Sequence, residues 1–337
     1  MARRPVNGFW AGRRVLVTGH TGFKGAWLTM WLHALGARVT GFSGPPPTVP
    51  SLFALARVAE LCNDRRGDVR DDAAVADAVE AARAEVVFHL AAQPIVREAL
   101  EDPAGTFATN VIGTSHVLAA AGDAAVVCVT SDKCYVRGDG PYREGDPLGG
   151  SEPYSASKAA QEHVAAAHRE AFGVRVATAR AGNVIGGGDW ARHRLVPDLV
   201  RARESGEPVT LRHPDAVRPW QHVLDALSGY LRLAERLTES ADWATAWNFG
   251  PDEVRSVRWV VDRVRARWPL DVEVVPAADA VEAPALRLDA TRARERLGWR
   301  PRLDIAAAID ATVSWHDSVR KGADARAVTL TQIEEGS

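Results

Sequence analysis

Tyr154 and Lys158 stand four residues apart in Tyr154-Ser-Ala-Ser-Lys158, at the head of an amphipathic run that reaches about Phe172. On a helix that spacing puts both side chains on one face. The lysine cation there lowers the pKa of the phenol, and a phenolate beside a nicotinamide takes the proton of an alcohol as its hydride leaves. Upstream, Thr130-Ser131-Asp132-Lys133 sets a hydroxyl, a carboxylate and an amine in succession behind the apolar run that starts at Ala124. Near the start, Gly19-x-x-Gly22-x-x-Gly25 joins Val15-Leu-Val-Thr18 to an amphipathic run from Phe23 to Leu35. Gly19 allows a tight turn, Gly22 lets a diphosphate approach the backbone, and Gly25 lets helix and strand pack closely. The first-turn amides and the positive end of the helix dipole then face the diphosphate of a dinucleotide. Each motif alone is common in helices and loops. Their order along one chain carries the reading.

Such residues must be positioned by a sheet whose strand ends face a common cleft. Ala37 to Phe42 reads as the second strand of a right-handed β-α-β unit. Ser43-Gly-Pro-Pro-Pro47 follows, with no acid for the adenosine ribose, so the choice between NAD and NADP stays open. A third strand ends near Gly67-Asp68-Val69, where Asp68 either reaches an adenine amino group or serves as a local capping acid. Asp72 to Ala84 reads as a helix and Glu85 to Ala92 as the fourth strand, with Ala91 and Ala92 small enough to lie beside a cofactor. Thr106 to Ala121 is a helix, Ala124 to Thr130 the fifth strand and Gly173 to Ala179 the sixth. The alternation predicts an α/β fold, a Rossmann-type doubly wound parallel sheet. We expect residues 1–182 to form the dinucleotide-binding domain, with later elements returning to it around 215–250. Residues 183–320 should form mainly a smaller, interleaved substrate domain, with helices near 195–204, 223–239, 256–268 and 305–317. Residues 321–337 read as a loosely ordered tail. In the second part Asn183, Arg192 and Arg194 suit a phosphorylated ligand, and Gly186 to Gly188 read as a hinge. Arg218 can grip a diphosphate bidentately or pair with a local acid.

The chain of 337 residues carries a formal net charge of -2, which points to neither nucleic acid nor an anionic membrane as partner. No apolar run approaches the roughly 18 residues of a membrane span, and Met1 to Pro5 lack the apolar core of a leader, so a cytoplasmic enzyme is expected. Cys62, Cys128 and Cys134 have no Cys-x-x-Cys or zinc spacing and read as reduced thiols, with Cys128 in the core. The ten histidines form no His-x-x-x-His pair, and no metal is expected.

The stretches Val17 to Gly25, Phe88 to Pro94, Thr130 to Tyr135, Pro153 to Lys158, Arg180 to Trp190, Arg218 to His222 and Leu297-Gly-Trp299 together resemble the extended short-chain dehydrogenase/reductase superfamily. Within it they resemble the CDP-glucose 4,6-dehydratase family, over nearly the whole chain. Tyr154 and Lys158 report only the superfamily. Ser131-Asp132-Lys133 is more specific, because dTDP-sugar dehydratases carry Glu where this chain has Lys133.

The resemblance implies that Tyr154, assisted by Lys158 and Ser131, deprotonates the glucose 4-hydroxyl, that Lys133 removes the C5 proton, and that Asp132 helps the 6-hydroxyl leave as water. It implies NAD held by Gly19, Gly22, Phe23, Lys24, Gly25, Asp68, Val69, Ala91, Ala92, Tyr154 and Lys158. Gln93, Asn183, Arg192 and Arg218 would bind the nucleotide sugar, and two chains would pair as a homodimer through helices 104–120 and 154–171. Chemistry adds one demand: Lys133 must be neutral to act as a base, and Asp132 protonated to act as an acid. Two departures, the segment 136–141 and the acid-free second strand end, bear on substrate detail and cofactor choice. The alternatives are a sugar-nucleotide epimerase, a dehydratase of another CDP-sugar, or a dinucleotide-sensing regulator on the same fold.

Overall fold

The computed structural model describes residues 8–138, 140–275 and 285–336, so the leader reading of 1–5 and Asp139 of the segment 136–141 lie outside it. Its centre is a seven-stranded, wholly parallel sheet: β1 (Arg14–Thr18), β2 (Arg38–Ser43), β3 (Asn63–Arg66), β4 (Val86–His89), β5 (Ala125–Val129), β6 (Val176–Ala181) and β7 (Ala246–Phe249). The strand order is β7-β6-β5-β4-β1-β2-β3. Near-continuous apolar strands follow from burial on both faces. Val15 and Val17 of β1, Val86 and Phe88 of β4, and Val127 and Val129 of β5 belong to one hydrophobic cluster. The intervening Leu16, Val87, Val126 and Cys128 belong to the other. Each such side chain, taken from water, contributes roughly 1.5–3 kcal/mol.

The first face is covered by α1 (Phe23–Ala34) and the later helix Val223–Glu239, the second by α2 (Asp72–Ala82), α3 (Gly113–Ala120) and α4 (Pro153–Phe172). A π-helical turn, Ala108–Ile112, leads into α3. Helix α4 is well bounded. Pro153 occupies its first turn, the Glu152 carboxylate accepts from Tyr154 N and Ser155 N, and Gly173 ends it at φ 69°. The strand order reverses between β1 and β4, which opens a crevice at their carboxyl ends, where open α/β sheets bind ligands.

The strand 246–249 returns to the edge of the central sheet after the chain has built small ribbons outside it, such as Asn183–Ile185 against Trp220–His222. The fourth strand stops at His89 rather than Ala92, and the sixth is displaced to Val176–Ala181. The glycines 186–188 serve packing. A Cβ on Gly187 would collide with the Trp315 indole, and one on Gly188 would meet Leu52 at 2.8 Å. The expected loose tail is instead a helix, Ala325–Glu335, capped by Asp324 and burying Ala325, Thr329 and Ile333. Among the described residues no helix is long and apolar enough to cross a membrane.

Candidate active site

The glycine turn leaves β1 at the crevice. Gly19 has φ 75°, and a Cβ there would sit 2.7 Å from Ala91 N, so the turn and the end of β4 can touch only through glycine. A Cβ on Gly25 would run into the Gly19 carbonyl, whereas over Gly22 the nearest atom lies 3.4 Å away. Helix α1 starts at Gly22 with no side-chain cap. An open cradle at an uncapped helix start fits a dinucleotide diphosphate. Phe23, Lys24 and Ala92 line the adjoining cleft, and burial together with the charges of Arg194 and Lys158 lowers Lys24 to about 7.

That cleft, about 630 Å³, is also lined by Ser131, Asp132, Lys133, Tyr154 and Lys158. The sequence separates the first three from the last two by some twenty residues, and the parallel pairing of β5 brings them to one wall. Ser131 caps the short turn Asp132–Cys134: its Oγ accepts from Lys133 N at 3.2 Å and donates to Asp132 Oδ1 at 3.1 Å. Asp132 is buried, its Oδ2 meets no hydrogen-bond partner, and burial raises its carboxyl above the usual range against the pull of Lys133 and Ser131. Lys133 is half-buried. Instead of the lowering expected from Lys158, burial raises Tyr154 to about 12, opposed by a hydrogen bond with Ser131 and by the Arg194 charge. Lys158 is lowered to about 8 by burial, and its Nζ donates to Gln161 Oε1 at 2.8 Å.

The remaining expected residues divide. Asn183 and Arg218 line the cleft, Arg218 buried and adding a charge that favours ionised Asp132. Arg192 is exposed and does not line it; Arg194 does, paired with Asp189 at 3.0 Å. Gln93 turns into the protein, its amide nitrogen donating to Thr106 Oγ1 and Ile95 O, so its side chain clamps the loop after β4 instead of facing a ligand. Asp68 pairs with Arg70, and Val69 is buried under Gly113. Ala91 packs on Gly19.

Sequence reasoning passed over the support of the helix that carries Tyr154 and Lys158. Glu162 receives Arg180 through Nε at 2.9 Å and Nη2 at 2.7 Å, together with the hydroxyls of Thr130 and Thr178. Its signal was available: Glu162 lies four residues beyond Lys158, on the same face of an alanine-rich helix. Among the described residues no cluster of His, Cys, Asp and Glu could hold a metal ion.

A model of the NAD dependent epimerase/dehydratase family matches residues 15–250. The CDP-glucose 4,6-dehydratase of Salmonella typhimurium is 44% identical, over 97% of each chain. The solved dTDP-glucose 4,6-dehydratase of Streptomyces venezuelae, with NAD bound, superposes with a TM-score of 0.79 at 26% identity, over 91% of this chain and 98% of that one. A UDP-glucose 4-epimerase of Stenotrophomonas maltophila, also with NAD, shares the fold at a TM-score of 0.82 and 22% identity, over 92% of this chain and 100% of that one. The chain belongs to the NAD dependent epimerase/dehydratase family.

Proposed function

We propose that the chain is a sugar-nucleotide 4,6-dehydratase that converts CDP-D-glucose to CDP-4-keto-6-deoxy-D-glucose with NAD. The carrying observation is the buried Asp132, its Oδ2 unpartnered at the cleft beside Lys133. An epimerase oxidises and reduces at C4 and needs no acid to expel the 6-hydroxyl. A buried carboxyl that favours its protonated form serves a dehydratase. The cytidine nucleotide is taken from the 44% identical relative named for it.

NAD+, when bound, supplies the hydride acceptor for C4 and the hydride donor for C6, and its nicotinamide cation favours the phenolate. Tyr154 takes the proton of the 4-hydroxyl, with the Lys158 charge and the Ser131 hydroxyl stabilising the phenolate. Ser131 has one proton to donate. While Asp132 is ionised that proton goes to Oδ1; once Asp132 is protonated it is released toward Tyr154. The 4-ketone acidifies C5, Lys133 removes the C5 proton, and Asp132 passes its proton to the 6-hydroxyl, which departs as water. Lys133 then returns its proton to C5 as C6 is reduced. Arg194 and Arg218 hold the diphosphate, and their charge keeps it at the cleft mouth.

Incubation with CDP-glucose and NAD+ should give a product lighter by one water, with the alkali-induced absorbance of a 4-keto sugar and no net NADH. Turnover only with another nucleotide sugar would discard the substrate and keep the Tyr154 chemistry. We further propose a cytoplasmic homodimer. The unpaired Cys62, Cys128 and Cys134 fit a reducing compartment, and Phe107 and Ile112 are exposed on the helical run before α3. A monomer mass by light scattering at micromolar concentration would overturn the dimer.

A further inference from the structure

Lys158 is held inside the protein by neutral groups. Its Nζ donates to Gln161 Oε1 at 2.8 Å and to Val129 O at 3.5 Å. Gln161 is fully buried, and its orientation follows from counting protons around Thr114. The Thr114 hydroxyl donates to Asn110 O at 2.7 Å. Its oxygen can therefore only accept from its other two neighbours, Gln161 Nε2 at 2.9 Å and His89 Nε2 at 2.9 Å. His89 thus carries its proton on Nε2, and its Nδ1 accepts from Thr18 Oγ1 at 2.8 Å, while Thr18 accepts from Ala91 N at 3.2 Å. The Gln161 amide nitrogen is committed to Thr114, and the carbonyl oxygen must face Lys158. Turned over, the amide would set two donors against each other at Lys158 and two acceptors against each other at Thr114. The chain of bonds runs from the strand that enters the glycine turn to the catalytic lysine. Every member is buried, where an unmade bond is costly.

We propose that Gln161 is a positioning residue for the oxidation at C4: its carboxamide oxygen holds the Lys158 ammonium, and the Thr114–His89 pair fixes which way that carboxamide points. The inference rests on the dehydratase reading of the same site. A neutral acceptor keeps the lysine in place and charged without cancelling its field at Tyr154, which a carboxylate at the same position would do. The other charged and titratable groups facing Lys158 are Glu162 on its own helix, Lys24 on α1, His89 on β4, Cys128 on β5 and Cys134 on the turn after β5.

The test compares Gln161→Met, which keeps the shape and removes the acceptor, with Gln161→Glu, which keeps an acceptor. The chain has four lysines, Lys24, Lys133, Lys158 and Lys321, so nitrogen-labelled lysine gives four side-chain NMR signals, assigned for Lys158 through Lys158→Met. Without substrate, Lys158 should titrate near 8 in the parent protein, about one unit lower in Gln161→Met, and no lower than the parent in Gln161→Glu. With CDP-glucose, Gln161→Met should lower kcat roughly tenfold and move the alkaline limb of its pH profile down, with KM unchanged. An unmoved Lys158 titration, or a profile merely scaled down together with thermal stability, would overturn the proposal. If the parent protein did not turn over CDP-glucose but the lysine shift appeared, the dehydratase reading would fall and the Gln161–Lys158 coupling would stand.

Discussion

In the proposed reaction Asp132 and Lys133, adjacent in sequence, work in opposite protonation states from those they hold in water. Burial supplies this directly for Asp132, whose carboxyl it raises, and no ion pair joins the two side chains among the described contacts. Lys133→Ala and Asp132→Asn should each lower dehydration by about 10²–10⁴-fold, the usual worth of a positioned acid or base, with NAD affinity unchanged by calorimetry. A fully active Lys133→Ala would remove the proposed base. That Tyr154, Lys158 and the glycine turn stand at one crevice was legible in the sequence, because their placement depends on spacing along one helix and one turn. The direction of the Gln93 side chain was not legible, because it is set by Thr106 and Ile95, which no local pattern reveals. Arg192 and Arg194 differ only in which way an irregular segment turns, and His193 between them, at φ 63°, decides it.

Helix α4 is fixed to β6 by the Glu162–Arg180 pair, whose side chains are each 3% exposed. Burial works against an ionised Glu162, but the Arg180 guanidinium and the Thr130 and Thr178 hydroxyls overcome it and hold the carboxyl below its usual range. Arg180 also donates to Tyr135 Oη, which donates to Asn248 Oδ1 on β7, so the network spans β6, β7 and the segment after Ser131-Asp132-Lys133. Removing one partner of such a pair strands a buried charge. Arg180→Met should therefore cost about 3–5 kcal/mol in urea unfolding, and Glu162→Leu combined with Arg180→Met should recover most of it. Equal losses in the single and double variants would mean the stranded charge finds water. Boundaries of α4 were readable from Pro153 and Gly173. The last helix, Ala325–Glu335, was not, because its sequence carries no clear apolar stripe. It forms on tertiary bonds instead: Trp315 Nε1 donates to Thr329 Oγ1 at 2.9 Å, and Arg326 Nε donates to Ala56 O at 2.7 Å.

Among the described residues four imidazoles are buried: His20, which pairs with Asp64 and is also lowered by burial, and three more that are held neutral. Burial is the leading cause in each case, lowering His89 to about 3, His222 to about 4 and His316 to about 3. His316 lies among the rings of Trp190, Trp315 and Trp268, with its Nε2 unpartnered. Below the unfolded value of about 6.5 the unfolded chain binds protons that the folded protein refuses, so stability present above pH 6.5 is lost on acidification. At pH 5 each of these three histidines forfeits about 2 kcal/mol by this linkage. Asp225 acts the other way: burial raises it to about 6, and its protonation in the folded state returns about 1 kcal/mol at pH 5. The histidines win, by an amount comparable with much of the roughly 5–15 kcal/mol that holds a domain folded. The urea midpoint should fall steeply between pH 7 and pH 5, and His316→Phe, which keeps a ring among the tryptophans, should flatten that fall while leaving the midpoint near neutrality little changed. A midpoint independent of pH over this range would mean that the buried imidazoles take up protons without unfolding the chain.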